Sequence, residues 1–547
     1  MSARRGSHDN FLGIEVVRAQ TRFVHVEYGA DANPAPFQTD YRGYSLYSIL
    51  SLIAKNGQAN KSQQHKVNPG QTYAVLRPVQ YAKRRHERQP TDELLRNTYM
   101  SYSDARYWHP MMHPNVMRTR DPIRIVRGDG CYVFDDAGNK LVDGVAGLWN
   151  VNVGHNRPEV KAAITQQLDE LAYYQLFEGI SHPRAEELST VLVELADKED
   201  MRRVIYSSGG SDACETALKL ARQYWRAAGQ PERTKFISLK QGYHGTHFGG
   251  ASVNGSTVFR RNYEPLLPGC SQVETPWIYR NSFTEDPEEL GRICAGLLER
   301  EIVFQGADTV AAFIAEPVQG AGGLIVPPAN YWPLVREVCD RHGVLLIADE
   351  VVTGFGRSGC MFGSRGWGVK PDIMCLAKGI SAGYVPLGAT LVNRRIEAAF
   401  EANADFAGVI MHGYTYAGHP LACAAALATL RIVVEEDLST KAASMGKYIL
   451  DQLRPFTERY ESVGDVRGKG LMIAIDLVKD KETRESIDPT DSYAYDVAAV
   501  ARSAGAIVRP VGPKIILSPP LTINQDQADV VVNALVRGFD ETAFRLA

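Results

Sequence analysis

Two neighbouring stretches decide the fold: GVLLIADEVVTGFGRSG at 343–359 and PDIMCLAKGISAGYVPLGA at 371–389. The first predicts a buried strand that ends on Asp349, because a short continuous apolar run leads into a glycine-rich turn. In the second stretch Lys378 interrupts a run that is otherwise apolar. Lysine is almost never fully buried unless it is paired or used. The two stretches therefore predict a buried cation close to a carboxylate at a strand end.

A lysine and an aspartate in this arrangement suit a pyridoxal phosphate (PLP) site. In such sites the lysine amine forms a Schiff base with the cofactor aldehyde, and the aspartate pairs with the pyridinium nitrogen. The residues themselves thus predict Lys378 and Asp349 as the catalytic pair, with pyridoxal 5'-phosphate as the cofactor.

Composition excludes several other classes of protein. The chain has 547 residues, 44% hydrophobic and 22% charged, which is ordinary for globular proteins and long enough for several domains. A net charge of −3 argues against a general nucleic-acid binder, and no apolar run reaches the roughly 18 residues of a membrane span. The eight cysteines show neither a CxxC pair nor metal-like spacing. We predict no metal site, and reduced thiols in a cytoplasmic protein.

Residues 1–99 differ from the rest of the chain. They hold 14 Lys and Arg against 8 Asp and Glu, with polar runs and the basic cluster KRRHER at 83–88. Because this stretch lacks sustained alternation of strand and helix patterns, we expect a poorly ordered basic extension. The cluster suits an acidic partner or a solvated surface equally well. We expect an appended segment, or an overextended reading frame, ahead of Met100.

From about residue 120 the pattern becomes regular. Residues 123–144 alternate apolar and polar side chains around turn signals, which is typical of a small β-meander. Short apolar strands then alternate with amphipathic helices, as in a mostly parallel α/β sheet, and the last 130 or so residues mix helices with short strands. We predict an N-terminal part of a small domain at 100–148, a large domain at 149–417 and a C-terminal small α+β domain at 418–547.

Further candidate residues follow the predicted strands. Ligands bind at the carboxyl ends of strands in open α/β sheets. There the turn SSGGSDA offers Gly209, Gly210 and Ser211 ahead of a helix whose N-terminal amides suit an anion. Three more candidates complete the set: Tyr243 and His244, whose rings suit a planar cofactor, and Glu316, after the strand AAFIA.

The ordered set of motifs resembles the class III aminotransferases, which are fold-type I PLP enzymes. The matching motifs are SSGGSDACETALK, GYHG, AEPVQGAGG, IADEVVTGFGRSG, AKGIS, HGYTYAGHP and SPPL. The local match is nearest to the ω-amino acid:pyruvate type, through VAGLWNVNVGH and GAGGLIVPPANYWP. The resemblance spans nearly everything from about Trp108 onward. It implies a mostly parallel seven-stranded sheet with helices on both faces, and a smaller α+β domain.

The resemblance also implies roles for individual residues. Lys378 is the Schiff-base lysine and proton carrier, and Asp349 keeps the ring nitrogen protonated. The other residues expected around the cofactor are Gly209, Gly210 and Ser211 at the phosphate, Tyr243, His244 and Val351 at the ring, and Glu316 beside it. Thr415 is expected to reach the phosphate of a neighbouring subunit, which implies a homodimer or tetramer with shared active sites.

Three residues match the substrate pocket of this family. Trp149 and Phe177 are expected to line it, and Arg509 is expected to clamp a substrate carboxylate with its guanidinium fork. Two positions depart from close relatives, which often carry an apolar or aromatic residue in place of Glu178 and an aromatic in place of Met111. If Glu178 faces the pocket it favours a diamine donor; otherwise it is solvated or ion-paired elsewhere.

The implied reaction moves an amino group from an ω-amino acid or primary amine to pyruvate or another 2-oxo acid, with ping-pong kinetics. One alternative keeps the fold and cofactor but changes the reaction to dialkylglycine decarboxylation or an aminomutase step. Because these enzymes share the lysine and the aspartate, Lys378 and Asp349 do not discriminate between them. A second alternative is a PLP fold reused for binding alone, which the presence of both residues disfavours.

Overall fold

The computed structural model describes residues 106–116 and 122–543. The predicted extension at 1–99, KRRHER included, lies outside the described residues and stays a prediction. Within them, no helix has both the length and the apolar character that crossing a membrane requires.

The strands are numbered in chain order. They are β1 (Ile125–Asp129), β2 (Tyr132–Asp135), β3 (Lys140–Asp143), β4 (Met201–Ser207), β5 (Lys235–Leu239), β6 (Cys270–Val273), β7 (Val310–Ala315), β8 (Leu345–Asp349), β9 (Ile373–Leu376), β10 (Gly388–Asn393), β11 (Val463–Gly468), β12 (Ile473–Asp480), β13 (Glu485–Ser486), β14 (Ala506–Ile507), β15 (Arg509–Pro510) and β16 (Lys514–Leu517).

The α-helices are numbered in the same way. They are α1 (Ala146–Trp149), α2 (Pro158–Glu170), α3 (Pro183–Leu195), α4 (Gly210–Ala227), α5 (Phe248–Ser252), α6 (Pro287–Gln305), α7 (Tyr331–His342), α8 (Arg394–Glu401), α9 (Pro420–Glu435), α10 (Leu438–Leu453), α11 (Phe456–Arg459), α12 (Tyr493–Ser503) and α13 (Gln525–Thr542).

Seven strands form the large sheet, in the order β4-β10-β9-β8-β7-β5-β6. Strands β9, β8, β7, β5 and β6 pair in parallel, whereas β10 runs antiparallel to both of its neighbours. Because β10 is antiparallel to β4 and to β9, the strands β4 and β9 point the same way. The prediction of a mostly parallel seven-stranded sheet is confirmed.

Helices cover both faces of this sheet. Ile314 of β7 lies in one apolar core with Ala217 of α4. Its neighbour Phe313 lies in another core with Leu298 of α6 and Val335 of α7. Successive side chains of a strand point to opposite faces, so the two cores lie on opposite sides of the sheet.

Two smaller sheets make up the remaining strand structure. One has the order β1-β2-β3-β14 and contains the meander predicted at 123–144. The other has the order β11-β12-β16-β15, with β13 beside β12, and packs with α10, α12 and α13 in a further core. This part is the smaller α+β domain that was predicted. The domain boundaries at 148/149 and 417/418 stay predictions.

Candidate active site

The candidate site lies where four strands of the large sheet end. Glu316 follows β7, Asp349 ends β8, Lys378 follows β9 and Gly209 follows β4. These strands point the same way, so their carboxyl ends share one edge of the sheet. Residues far apart in sequence are thereby brought together, as expected of an open α/β sheet.

Lys378 has a strained backbone and an unpaired amine. Its φ is +46°, in the left-handed region that non-glycine residues seldom adopt, and it begins a short 3-10 turn, Lys378–Ile380. The side chain is half-buried, and the described residues offer its Nζ neither a hydrogen bond nor an ion pair. Burial lowers the pKa of Lys378, against the opposing charges of Asp349 and Glu316. An amine in this state is more readily uncharged at neutral pH than an exposed lysine.

Asp349 is buried and held by three donors. Its Oδ2 lies 2.8 Å from Nδ1 of His244 and 3.3 Å from Sγ of Cys214. Its Oδ1 accepts a hydrogen bond of 3.1 Å from the amide of Val351. The carboxylate is therefore fixed in one orientation at the end of β8.

Glu316 is a second buried carboxyl at this edge. Its Oε1 accepts the amide of Tyr243 at 3.0 Å, and its Oε2 accepts the amide of Gly320 at 2.7 Å. Burial raises the pKa of Glu316 to about 7; His244 opposes this shift and the Asp349 charge adds to it. Glu316 thus joins the loop after β5 to the loop after β7.

The turn ahead of α4 leaves room for an anion. Gly209 is the N-cap of α4, supplies no side-chain cap, and a Cβ there would meet open space. A Cβ at Gly210 would lie 2.8 Å from Cγ1 of Val351, so that position is tightly packed. The hydroxyl of Ser211 accepts the amide of Thr246 at 3.2 Å, which ties the turn to the GYHG loop. Free amides at a helix N-terminus beside open space suit a phosphate.

Tyr243 and His244 lie differently from each other. The ring of Tyr243 is half-buried and packs edge-on against Phe259, with 4.8 Å between the ring centroids. His244 is buried with its ring directed at Asp349, and its amide donates to Oδ1 of Asn254 at 2.6 Å. The structure thus places His244 at the edge of the site as a partner of Asp349.

Two of the three predicted substrate residues lie beside this centre. Arg509 is half-buried on β15, and its guanidinium has no hydrogen-bond or ion-pair partner within the described ranges. Burial lowers the pKa of Arg509, and its charge acts on Lys378 and Tyr243. Trp149 is buried, and its Cζ3 lies 3.7 Å from where a Cβ of Gly320 would stand.

Other predicted residues lie on the surface of the single chain. Thr415 is exposed, and its carbonyl accepts a hydrogen bond of 2.6 Å from the hydroxyl of Tyr173. Phe177 is exposed and packs against Gly413, which lies in the loop that carries Thr415. Glu178 is exposed, with a φ of +57° and no hydrogen-bonding or ionic partner in the part of the chain described.

Met111 is also exposed and has a φ of +55°. The structure therefore does not bring Met111, Phe177, Glu178 or Thr415 into contact with Lys378 within one chain.

Two residues that complete the site were missed in the sequence. Asn254 lies outside every recognised motif, and only the fold brings it to His244. Cys214 lies inside SSGGSDACETALK, three residues after Ser211, so helical spacing already places it on the same side of α4. Its contact with Asp349 depends on the packing of α4 against β8, which no local pattern encodes.

Comparison with known proteins identifies the family. Residues 115–539 match the family model described as "Aminotransferase class-III". The chain belongs to the class III aminotransferases. The putrescine–pyruvate aminotransferase of Pseudomonas aeruginosa is 39% identical to this aminotransferase over 77% of the chain and 91% of that protein.

Solved structures of similar proteins agree with this assignment. An amine transaminase from an uncultivated Pseudomonas species, in its PLP-bound form, is 59% identical with a TM-score of 0.79, covering 80% of this chain and 99% of that one. An (S)-enantioselective ω-transaminase from Thermomicrobium roseum is 41% identical with a TM-score of 0.76, covering 79% and 96%. The predicted family and fold type are therefore confirmed.

The residues of this aminotransferase fit a phosphorylated pyridine aldehyde. Lys378 offers an unpaired amine to the aldehyde, and Asp349 offers a buried acceptor to the ring nitrogen. Gly209 and the start of α4 offer open space and free amides to the phosphate. The side chains of His244 and Cys214 hold Asp349 in place for this role by hydrogen bonds.

Proposed function

We propose that this aminotransferase moves an amino group from an ω-amino acid or a primary amine, diamines included, to pyruvate or another 2-oxo acid in a ping-pong cycle. The Lys378 amine carries this proposal, because it is half-buried and unpaired among the described residues, and the charges of Asp349, Glu316 and Arg509 act on it. The transaminases reported above do not favour the decarboxylase or aminomutase alternative.

The cofactor is pyridoxal 5'-phosphate, which when bound withdraws electrons from the carbon that loses a proton. With the cofactor bound, Asp349 would pair with the ring nitrogen and keep it protonated, because a nearby negative charge favours the charged form. Nζ of Lys378 would hold the cofactor and would take up and return the proton of the donor carbon. Val351 and Tyr243 would contact the ring.

Arg509 provides the acceptor site in this proposal. A guanidinium fork binds a carboxylate with two parallel hydrogen bonds, and Arg509 has all its donors free among the described residues. One guanidinium suits a 2-oxo acid with one carboxylate, such as pyruvate. The relative named for putrescine and pyruvate supports the same pairing of substrates.

Glu178 provides the preference for a diamine. Its carboxylate is exposed in the single chain, in a left-handed turn beside Phe177, and no described residue neutralises it. If a second chain covers this surface, an unpaired carboxylate there is costly unless a cation meets it. We assign that cation to the second ammonium group of the donor.

A second copy of the chain completes the site. The segments 173–180 and 406–416 are joined by the hydrogen bond between Tyr173 and Thr415, and they expose many apolar side chains. The exposed apolar residues are Tyr173, Tyr174, Phe177, Ile180, Phe406, Val409, Ile410, Met411 and Tyr416. Apolar patches of this extent mark interaction surfaces. We propose a homodimer in which Thr415 reaches the partner's phosphate site. A cytoplasmic location stays a prediction.

A donor panel tests the proposed substrates. β-Alanine, 4-aminobutyrate, putrescine, taurine and 1-phenylethylamine are each assayed against pyruvate and 2-oxoglutarate, with Lys378→Ala as the inactive control. Putrescine with pyruvate is expected to give the highest kcat/KM. The proposal would be contradicted if none of these donors transferred an amino group to either acceptor.

The Glu178→Gln variant tests the preference for a diamine. Its KM for putrescine is expected to rise about tenfold, as on losing a hydrogen bond to a charged group. Its KM for 1-butylamine, which lacks the second ammonium, is expected to stay unchanged. Glu186→Gln, a change at an exposed carboxylate on α3, is the matched control. An equal change for both amines would exclude the role of Glu178 and leave the transaminase assignment intact.

A further inference from the structure

Cys214 is a buried thiol in contact with the catalytic carboxylate. It lies in the second turn of α4, is 1% exposed, and its Sγ is 3.3 Å from Oδ2 of Asp349. The same oxygen receives Nδ1 of His244 at 2.8 Å. Two donors from different elements, a helix and a loop, therefore converge on one oxygen.

The two donors limit how many further hydrogen bonds the Asp349 carboxylate can accept. A carboxylate offers about four lone-pair positions, two on each oxygen. His244 and Cys214 occupy both positions on Oδ2, and the Val351 amide occupies one on Oδ1. A single position on Oδ1 then stays available for a further donor.

We propose that the Cys214 thiol, acting with His244, fixes the Asp349 carboxylate so that its last acceptor position faces the ring nitrogen of the cofactor. Cys214 is thus a positioning residue, a role that rests on the proposed pairing of Asp349 with the ring. Without the thiol, Oδ2 has an open position and the carboxylate is free to rotate toward it. Pairing with the ring nitrogen must then first restrict that rotation, so the cofactor binds less tightly.

The thiol is suited to donate throughout the working pH range. Its hydrogen bond with Cys375, burial and the Asp349 charge all raise the pKa of Cys214 well above its ordinary value. The S–H proton therefore stays in place at neutral pH. Thiols are weak donors, but a charged acceptor strengthens any hydrogen bond.

Cys375 provides a matched control within the same core. It is equally buried, on β9, where it is the strand partner of Asp349, and its Sγ lies 3.7 Å from the carbonyl oxygen of Ala213. Within the described residues its thiol makes no hydrogen bond to the Asp349 carboxylate. Replacing either cysteine by alanine leaves a cavity of the same size beside α4. Only the change at position 214 removes a donor to the carboxylate.

The test measures cofactor affinity directly. Wild type, Cys214→Ala, Cys214→Ser and Cys375→Ala are prepared as holoenzymes, stripped of cofactor and titrated with PLP, with binding followed by protein fluorescence. Cys214→Ala is expected to raise the Kd about tenfold, the size of one hydrogen bond to a charged group. Cys375→Ala is expected to change it by less than about twofold. Cys214→Ser keeps a donor and is expected to recover most of the affinity.

Spectroscopy supplies the second measurement. The visible absorbance of the bound cofactor titrates with pH, and Cys214→Ala is expected to shift that midpoint while Cys375→Ala leaves it in place. Equal Kd values for the two alanine variants, or a serine variant as weak as Cys214→Ala, would overturn the proposal. If Cys214→Ala does not fold, Cys214→Ser against Cys214→Val makes the same comparison. A wild type that binds PLP no better than Asp349→Asn would overturn the pairing of Asp349 itself, which is a separate result.

Discussion

Arg509 is a cation without an ionic partner among the described residues, and it lies close enough to Lys378 for their charges to interact. Its guanidinium is half-buried and unpaired among the described residues, and its charge acts on Lys378 and Tyr243. A cation that is partly withdrawn from water and has no partner is unfavourable, so a site that keeps one is expected to use it for a substrate anion.

The variant Arg509→Ala should lose activity toward acceptors that carry a carboxylate and keep it toward acceptors that do not. The kcat/KM for pyruvate is expected to fall about 10- to 100-fold, because one or two hydrogen bonds to a carboxylate are lost. The kcat/KM for butanal, an acceptor without a carboxylate, is expected to stay within about threefold, since Arg509 makes no contribution to it. Arg509→Lys keeps the charge but loses the fork and is expected to lie between the two. Equal losses for pyruvate and butanal would remove the clamp role.

At the scale of elements, the sequence predicted the strands that carry the site. The short apolar runs before Glu316, Asp349 and Lys378 form β7, β8 and β9. They were recognisable because parallel strands buried on both faces are nearly continuous runs of apolar residues. The prediction of a helix at the glycine turn 209–210 was also correct, since turn glycines and helical spacing are local signals. These elements needed no tertiary information.

What the sequence did not predict depends on tertiary packing. The antiparallel direction of β10 follows from the path of the chain after Lys378, not from the residues of the strand. The left-handed conformation of Lys378 is imposed by its surroundings, because lysine does not favour it. The contact of Cys214 with Asp349 likewise joins elements that are distant in sequence. Asn254 is near His244 in sequence, but only the folding of the intervening loop brings the two together.

The end of β7 gives the apoenzyme a pH-dependent stability. Burial raises the pKa of Glu316 to about 7 in the folded protein, against an ordinary value of 4.5. Between these values the unfolded chain releases a proton that the folded chain keeps. Stability therefore falls as pH rises from about 4.5 to about 7, by at most about 3 kcal/mol from this group.

The variant Glu316→Gln should lose the part of the pH dependence of stability that comes from Glu316. It cannot titrate, so its free energy of unfolding is expected to vary less between pH 5 and pH 7 than that of wild type. Urea unfolding of both apoenzymes at pH 5, 6, 7 and 8 measures the difference. Parallel pH profiles for the two proteins would mean that Glu316 ionises normally in the fold.

At the scale of the whole molecule, one surface of the chain exposes a cluster of apolar side chains. The loop 411–418 and the segment 173–180 expose aromatic side chains, and Thr415 and Phe177 lie among them. Two residues that the family resemblance assigns to the active site thus stand away from Lys378. A symmetric dimer brings such residues to the site of the other chain, because its interface is built from the same patch twice.

Mixed dimers test whether the active sites are shared. A Lys378→Ala chain and a Thr415→Ala chain are unfolded together, refolded in equal amounts and assayed at limiting PLP. In a dimer with shared sites, each hybrid has one site that carries both substitutions and one site that carries neither. Because random pairing makes about half the dimers hybrid, about a quarter of all sites become fully native.

Activity is therefore expected to rise above the mean of the two parent proteins refolded alone. In a control pair, Lys378→Ala with Asp349→Asn, each substitution stays in the site of its own chain. Every site of every dimer then carries one substitution, so no such gain is expected. Activity at the mean of the parents in the Thr415 mixture would show that each chain builds its site alone, and the exposed aromatic patch would then need another partner.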